Sequence, residues 1–267
     1  MTTNHNILKL IWRNFFMKKA MLFVFGVCLL ALGGCANTSK VVSKSTDAVD
    51  SIKSGQAVVT LKTKSGVGSQ QTIDGGTFTL KPFVVALNQS NQSQPTSHYY
   101  INKNMLYIQM NKVWYKQPIS KNSQLIKNTR SQMSARSAAQ ILKGIKKDLK
   151  LKSNDKTYTL SYDGDSKKAT SVAKKVLISQ SGKAAEKNAD KISVSHLTFK
   201  YTVNKKTYLP TKSNIKIQYT SKGEAATTTV SGSYADLNKI NKVDVPESVM
   251  TQAKKFPASL AKYMGTD

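Results

Sequence analysis

The chain predicts an α+β fold built on an antiparallel sheet, and three observations carry that reading. Several stretches alternate apolar and polar residues, most plainly Leu197, Phe199, Tyr201 and Val203 against His196, Thr198, Lys200 and Thr202. Short Asn- and Lys-bearing turns (Asn102-Lys103-Asn104, Asn111-Lys112, Asn204-Lys205-Lys206) separate such stretches at hairpin spacing. Two segments in the middle switch to helical periodicity, and no internal repeat or long linker divides the 267 residues.

The N-terminal segment is read as a targeting signal, not as structure. Lys18 and Lys19 precede the apolar run Ala20 to Leu32, which is shorter than the roughly 20 residues a membrane helix needs. Small residues and then Cys35 follow, the layout of a secretory signal with its cleavage site. Leu32-Gly33-Gly34-Cys35 resembles the bacterial lipobox, whose cysteine takes a diacylglyceryl group and becomes the new N-terminus. An ordinary signal peptide, or an uncleaved anchor that happens to contain Cys35, is the plainer alternative. The expected division is a signal peptide at 1–34 (with translation starting at Met1 or Met17), a lipidated tether at 35–40 and one domain at 41–267. Cys35 is thus the expected lipidation site and the membrane the expected partner, on the extracytoplasmic face. Two acyl chains meet the requirement for stable anchoring that one chain fails.

Within the domain, Val41 to Ser54 reads as a helix stopped by Gly55, with Val42, Thr46, Val49 and Ile52 near one face. Gln56 to Lys64 alternates as a strand. Asp74-Gly75-Gly76 reads as a turn, and Thr77 to Leu87 as the strand after it. Ser90 to Ser97 is a polar loop. Tyr99 to Ile101, Leu106 to Met110 and Val113 to Lys116 then make a meander. Ser134 is a plausible N-cap for a helix bearing Ala138, Leu142, Ile145 and Leu149. Lys156 to Tyr162 is a strand and Ser166 to Gln180 a second helix, before a polar, lysine-rich connection to Asp190. Strands follow around Leu197, Ile215 and Ala225 to Tyr234. Pro246 suits the first turn of a terminal helix.

Composition limits the chemistry. The chain carries 41 basic and 14 acidic residues. Without Lys9, Arg13, Lys18 and Lys19 of the signal it keeps a large positive excess, which attracts polyanions. Outside the cytoplasm those are phospholipid headgroups and anionic wall polymer, and no nucleic-acid-binding pattern points elsewhere. The same lysines also serve as a plain solvated face. Cys28 leaves with the signal and Cys35 is consumed by lipid, so no thiol remains for a disulfide, a metal or a nucleophile. His98 and His196 have no metal-ligand spacing, and both read as solvent-facing strand residues. No cofactor or metal site is expected, and no paired-carboxylate or nucleophile motif suggests an enzyme.

Three stretches together carry a resemblance. They are Trp114-Tyr115-Lys116 before a helical insertion, Phe199 to Pro210 leading to Ile215-Lys216-Ile217, and Tyr234 to Ile240 ending in Val245-Pro246-Glu247. This layout resembles an uncharacterised family of Gram-positive lipoproteins related to the LolA/LppX-like half-barrels. The resemblance implies a strongly curved, open antiparallel sheet wrapping helices on its concave face, with an apolar cavity between them for a lipid or other hydrophobic ligand. It supplies no catalytic residue. The candidate lining is the apolar strand face: Val59, Leu61, Phe83, Val85, Leu106 and Ile108 in the first half, and Leu197, Phe199, Tyr201, Ile215 and Ile217 in the second. The same residues would equally pack against the domain's own helices. A surface-interaction protein, whose basic face binds wall polymer or membrane without cargo, is the competing expectation.

Overall fold

The computed structural model describes residues 37–91, 96–102, 104–181 and 189–257. Met17, Cys35, the expected signal peptide, part of the 90–97 loop and Lys103 lie outside the described residues. The chain divides into two compact units between Asn37 and Thr38, and every strand and helix described belongs to the unit that begins at Thr38.

Its strands run in two meanders. The first comprises β1 (Ser54–Ser65), β2 (Gly68–Leu80), β3 (Phe83–Asn91), β4 (Ser97–Asn102), β5 (Met105–Met110) and β6 (Val113–Pro118). The second comprises β7 (Lys150–Ser153), β8 (Thr157–Gly164), β9 (Ile192–Asn204), β10 (Pro210–Ser221) and β11 (Glu224–Ala235). A two-residue strand, β12 (Lys254–Lys255), follows them. β1 pairs with β11, so both meanders join one sheet, ordered β12-β6-β5-β4-β3-β2-β1-β11-β10-β9-β8-β7. Only β12 is parallel to its neighbour, β6. The edges β12 and β7 do not pair, and the sheet stays open. Twisted sheets beyond about ten strands rarely stay flat; this one curves around its helices.

The register puts the alternating apolar residues on one face, because directly paired residues point the same way. One row across the sheet is Leu61, Val230, Ile215, Phe199 and Tyr162. Another is Phe78, Val85, Ile101 and Leu106. Helices cover this face: α1 (Thr38–Asp50), α2 (Gln124–Met133), α3 (Arg136–Gly144) and α4 (Lys167–Ser181). α2 packs toward β1 and α4 toward β9, while α3 lies against both α1 and α4. At the α3–α4 crossing an added Cβ on Gly144 would run into Val172, so the approach requires a glycine. Ala138, Leu142, Ile145 and Leu149 are all buried, as their spacing predicts, although the helix ends at Gly144.

On the opposite face lies the last helix, α5 (Glu247–Gln252). There Tyr107, Val245, Val249 and Ala253 form a small cluster with Tyr100 and Trp114 packed on it. Pro246 stands at the N-cap of α5, one position before the first turn in which the sequence pattern puts it.

Four local expectations differ from the structure. α1 begins at Thr38, inside the expected tether, and ends at Asp50; Gly55 lies in β1, where a Cβ would strike Leu237 and the Ala235 carbonyl. Ser134 does not start a helix but closes α2, its N–H and Oγ both donating to the Arg130 carbonyl (3.2 and 2.6 Å). Serine satisfies orphan groups at either helix end, so its identity does not fix which. Asp74-Gly75-Gly76 is not a turn. It runs mid-strand through β2, and a Cβ on Gly76 would collide with the Ala86 carbonyl of β3. The reversal comes instead at Lys81-Pro82, where Leu80 pairs with Phe83.

Candidate functional site

The strand face that meets α2 is not packed throughout. Leu87, Ile101 and Leu106 of the sheet and Leu125 and Met133 of α2 border a pocket of about 330 Å³. The helix owes its position there to Ser123, a buried N-cap whose Oγ accepts from the Ile126 N–H at 3.4 Å. Positions 125, 128, 129, 132 and 133 fall on one helical stripe, so the helix gives the pocket Asn128, Thr129 and Gln132 alongside its two apolar residues.

The sheet's polar contribution is a chain of hydrogen bonds. Tyr99 Oη donates to Gln89 Oε1 (3.2 Å), and Gln89 Nε2 donates to Asp74 Oδ1 (2.8 Å). Asp74 and Gln89 are cross-strand partners on β2 and β3. Burial pushes the Asp74 carboxyl above the usual carboxylate range, and the Gln89 hydrogen bond only partly offsets it. Burial likewise pushes the Tyr99 phenol up.

Of the residues expected to line a cavity, Leu106 borders this pocket. Phe83 borders a second one of about 330 Å³, with Asn104, Lys121, Ile126 and Arg130, whose guanidinium lies 4.6 Å from the Phe83 ring centre. Val59, Val85, Ile108, Leu197, Phe199, Tyr201, Ile215 and Ile217 lie buried in the same apolar face without bordering either pocket; Leu61 is partly buried there. Phe199 and Tyr201 stack at 6.1 Å, and burial raises the Tyr201 hydroxyl well above its ordinary range. The pocket thus lies over β2 to β5, away from the second meander. Asp74, Gln89 and Tyr99 escape sequence reasoning because the glycines after Asp74 mimic a turn. One signal does point to the site: Asp74 is the only acidic residue between Asp50 and Asp148.

The two histidines are strand residues, as expected. His98 Nδ1 lies 2.6 Å from Asn88 Oδ1, and His196 Nε2 lies 2.7 Å from Asp163 Oδ1, which also accepts from Thr198 Oγ1 at 3.0 Å. Asp163 is held below the usual carboxylate range, first by the His196 hydrogen bond and then by that of Thr198. Neither imidazole is bonded to a hydroxyl nucleophile among the described residues. No group of His, Cys, Asp or Glu side chains among the described residues could hold a metal ion, and no described helix is long and apolar enough to cross a membrane.

Solved structures similar to this chain include two mycobacterial proteins, one of them a lipoprotein, and a LolA superfamily protein. LppX of Mycobacterium tuberculosis is 9% identical, with 78% of this chain and 98% of that one covered at a TM-score of 0.44. LprF of Mycobacterium bovis is 11% identical, covering 79% and 96% at a TM-score of 0.43. A LolA superfamily protein of Nitrosomonas europaea is 12% identical, covering 80% and 97% at a TM-score of 0.30. No curated protein sequence matches the chain. A family of unknown function, DUF6612, matches residues 37–254, and the chain belongs to that family.

Proposed function

We propose that the chain is a lipoprotein held at the extracytoplasmic face of the membrane by a lipid on Cys35, and that its folded unit binds a lipid or other hydrophobic ligand between β2–β5 and α2. The observation that carries the ligand reading is the pocket bordered by Leu87, Ile101, Leu106, Leu125 and Met133. Protein interiors leave few voids larger than a water molecule, while ligand sites span roughly 300–1,000 Å³. A volume of about 330 Å³ is at the small end of that range, suiting one short chain or a compact ring system rather than several long chains. Each methylene taken from water into such a space gains about 0.8 kcal/mol.

Mass spectrometry of the membrane-extracted chain tests both halves of the proposal. The expected N-terminus is a diacylglyceryl-modified Cys35, and native spectra should show a bound amphiphile that Leu125→Trp, which fills the pocket from the helix side, loses. An unmodified N-terminus would remove the anchor. A wild-type chain that carries no ligand and takes up none from vesicles would remove the binding role.

One observation favours a second role, contact with anionic wall polymer or headgroups. On the sheet face turned away from the helices, one row across the strands reads Thr198, Lys216, Thr229, Lys62, with Lys200 and Lys212 on neighbouring rows. Lys64, Lys200, Lys212 and Lys216 are exposed. The two roles use opposite faces and are compatible.

A further inference from the structure

The pocket is polar at one end and apolar at the other, and its polar end carries the Asp74 carboxyl. Register orders it: Asp74 and Gln89 form one row, Leu87 and Tyr99 the next on that face, and Val85, Ile101 and Leu106 the row beyond. Asp74 and Phe78, which pairs with Val85, are four residues apart on β2, about 13 Å along a strand. The bonds from Tyr99 through Gln89 to Asp74 all donate toward the carboxylate, which leaves it the terminal acceptor. A carboxylate has about four acceptor positions, and Gln89 is the one side chain among the described residues hydrogen-bonded to Asp74. The facing helix supplies only the neutral Asn128, Thr129 and Gln132, and no Lys, Arg or His is among the residues that border the pocket. A half-buried carboxylate without a counter-charge is costly. It is the more conspicuous in a chain with 41 basic residues and 14 acidic ones.

We propose that the pocket selects a cationic amphiphile, an apolar chain or ring system ending in a protonated amine, whose head meets Asp74 while its body lies against Ile101, Leu106 and Met133. This rests on the reading of the pocket as a ligand site. It makes the pocket opposite in sign to the rest of the molecule: the lysine-rich surface attracts anionic lipids, whereas the pocket rejects a fatty acid or lipid phosphate, because an anionic head would face an uncompensated carboxylate. Burial lifts the Asp74 pKa and no neighbouring cation opposes it, which agrees with a site that lacks its positive partner.

The test compares dodecylamine, dodecanol and dodecanoate, each below its micelle or solubility limit at pH 7, titrated calorimetrically into the full chain held in a non-ionic amphipol. Dodecylamine is expected to bind at least about tenfold more tightly than dodecanoate, the scale of one charge-assisted hydrogen bond. Asp74→Asn keeps the side-chain shape and an acceptor for Gln89, and should remove that preference. Leu125→Trp should weaken all three ligands. Equal binding of the three, or a preference for dodecanoate, with Leu125→Trp still abolishing uptake, overturns the charge selection and leaves the hydrophobic site standing. Binding of none by a chain with a normal melting transition overturns both. The wild-type ranking decides the matter even if Asp74→Asn fails to fold.

Discussion

In the proposed site, Asp74 stands where stability and ligand choice pull in opposite directions. Its carboxyl is harder to ionise in the folded chain than in the unfolded one, because burial outweighs the Gln89 hydrogen bond. Such a group leaves the fold unpenalised while it is protonated in both states. The penalty begins as pH rises through the ordinary carboxylate pKa of about 4 and is complete above the raised folded value. Asp74→Asn should therefore raise the melting temperature at pH 7, on the order of a few degrees for a domain of this size. That gain should vanish as pH falls below about 4, where wild-type Asp74 is neutral in both states. Thermal melts of both chains from pH 3 to 8 check this, and a gain unchanged at acid pH would mean that the effect is not ionisation. A stabilising substitution that also loses amine selectivity would place the residue's role in binding rather than in holding the fold.

At the scale of elements, the sequence discloses most where a single period runs undisturbed. β9 shows its two faces in plain alternation, and the turn at Asn111-Lys112 falls where both residues take positive φ (49° and 66°) between β5 and β6. It discloses least where a residue type serves two purposes. Glycine marks both turns and close strand approaches, so Gly75 and Gly76 conceal β2 and, with it, the inward side of Asp74. Gln124 to Met133 carries no clear helical stripe in the sequence. Its apolar residues Leu125, Ile126 and Met133 are interspersed with the polar side chains that a half-empty pocket permits. Such a helix depends on its cap more than one locked by a full apolar stripe. Ser123→Ala, which removes the acceptor for the Ile126 N–H, should cost about 1 kcal/mol of stability. Because it loosens the wall opposite Asp74, it should also weaken ligand uptake more than an equally destabilising change in α4. Calorimetry of both variants at matched stability measures the difference, and equal uptake would show that α2 does not shape the site.

For the molecule as a whole, the two sheet faces divide the work. The helix-covered face holds the core and the pocket, while the open face over β1, β11, β10 and β9 is polar and lysine-bearing. Lys216 and Lys62 share a row two strands apart, about 10 Å. That is close to the screening length of about 8 Å at physiological ionic strength, so the lysines act together in dilute salt and nearly separately above it. Each basic residue near an anionic surface contributes about 1 kcal/mol. The lipid tether proposed at Cys35 would supply lasting attachment without them, which leaves the lysines orientation to contribute, turning the open face toward polymer or headgroups. A poly(glycerol phosphate) chain should then bind the full protein in dilute salt and lose most of that affinity by roughly 0.5 M, well beyond the physiological screening regime. Replacing Lys200, Lys212 and Lys216 together with Gln should reduce binding in dilute salt by about a hundredfold, since three contacts of that size are removed. Dodecylamine uptake on the opposite face should be unaffected. Affinity that ignores salt, or a triple variant that binds polymer as the wild type does, would assign the lysines to solvation alone.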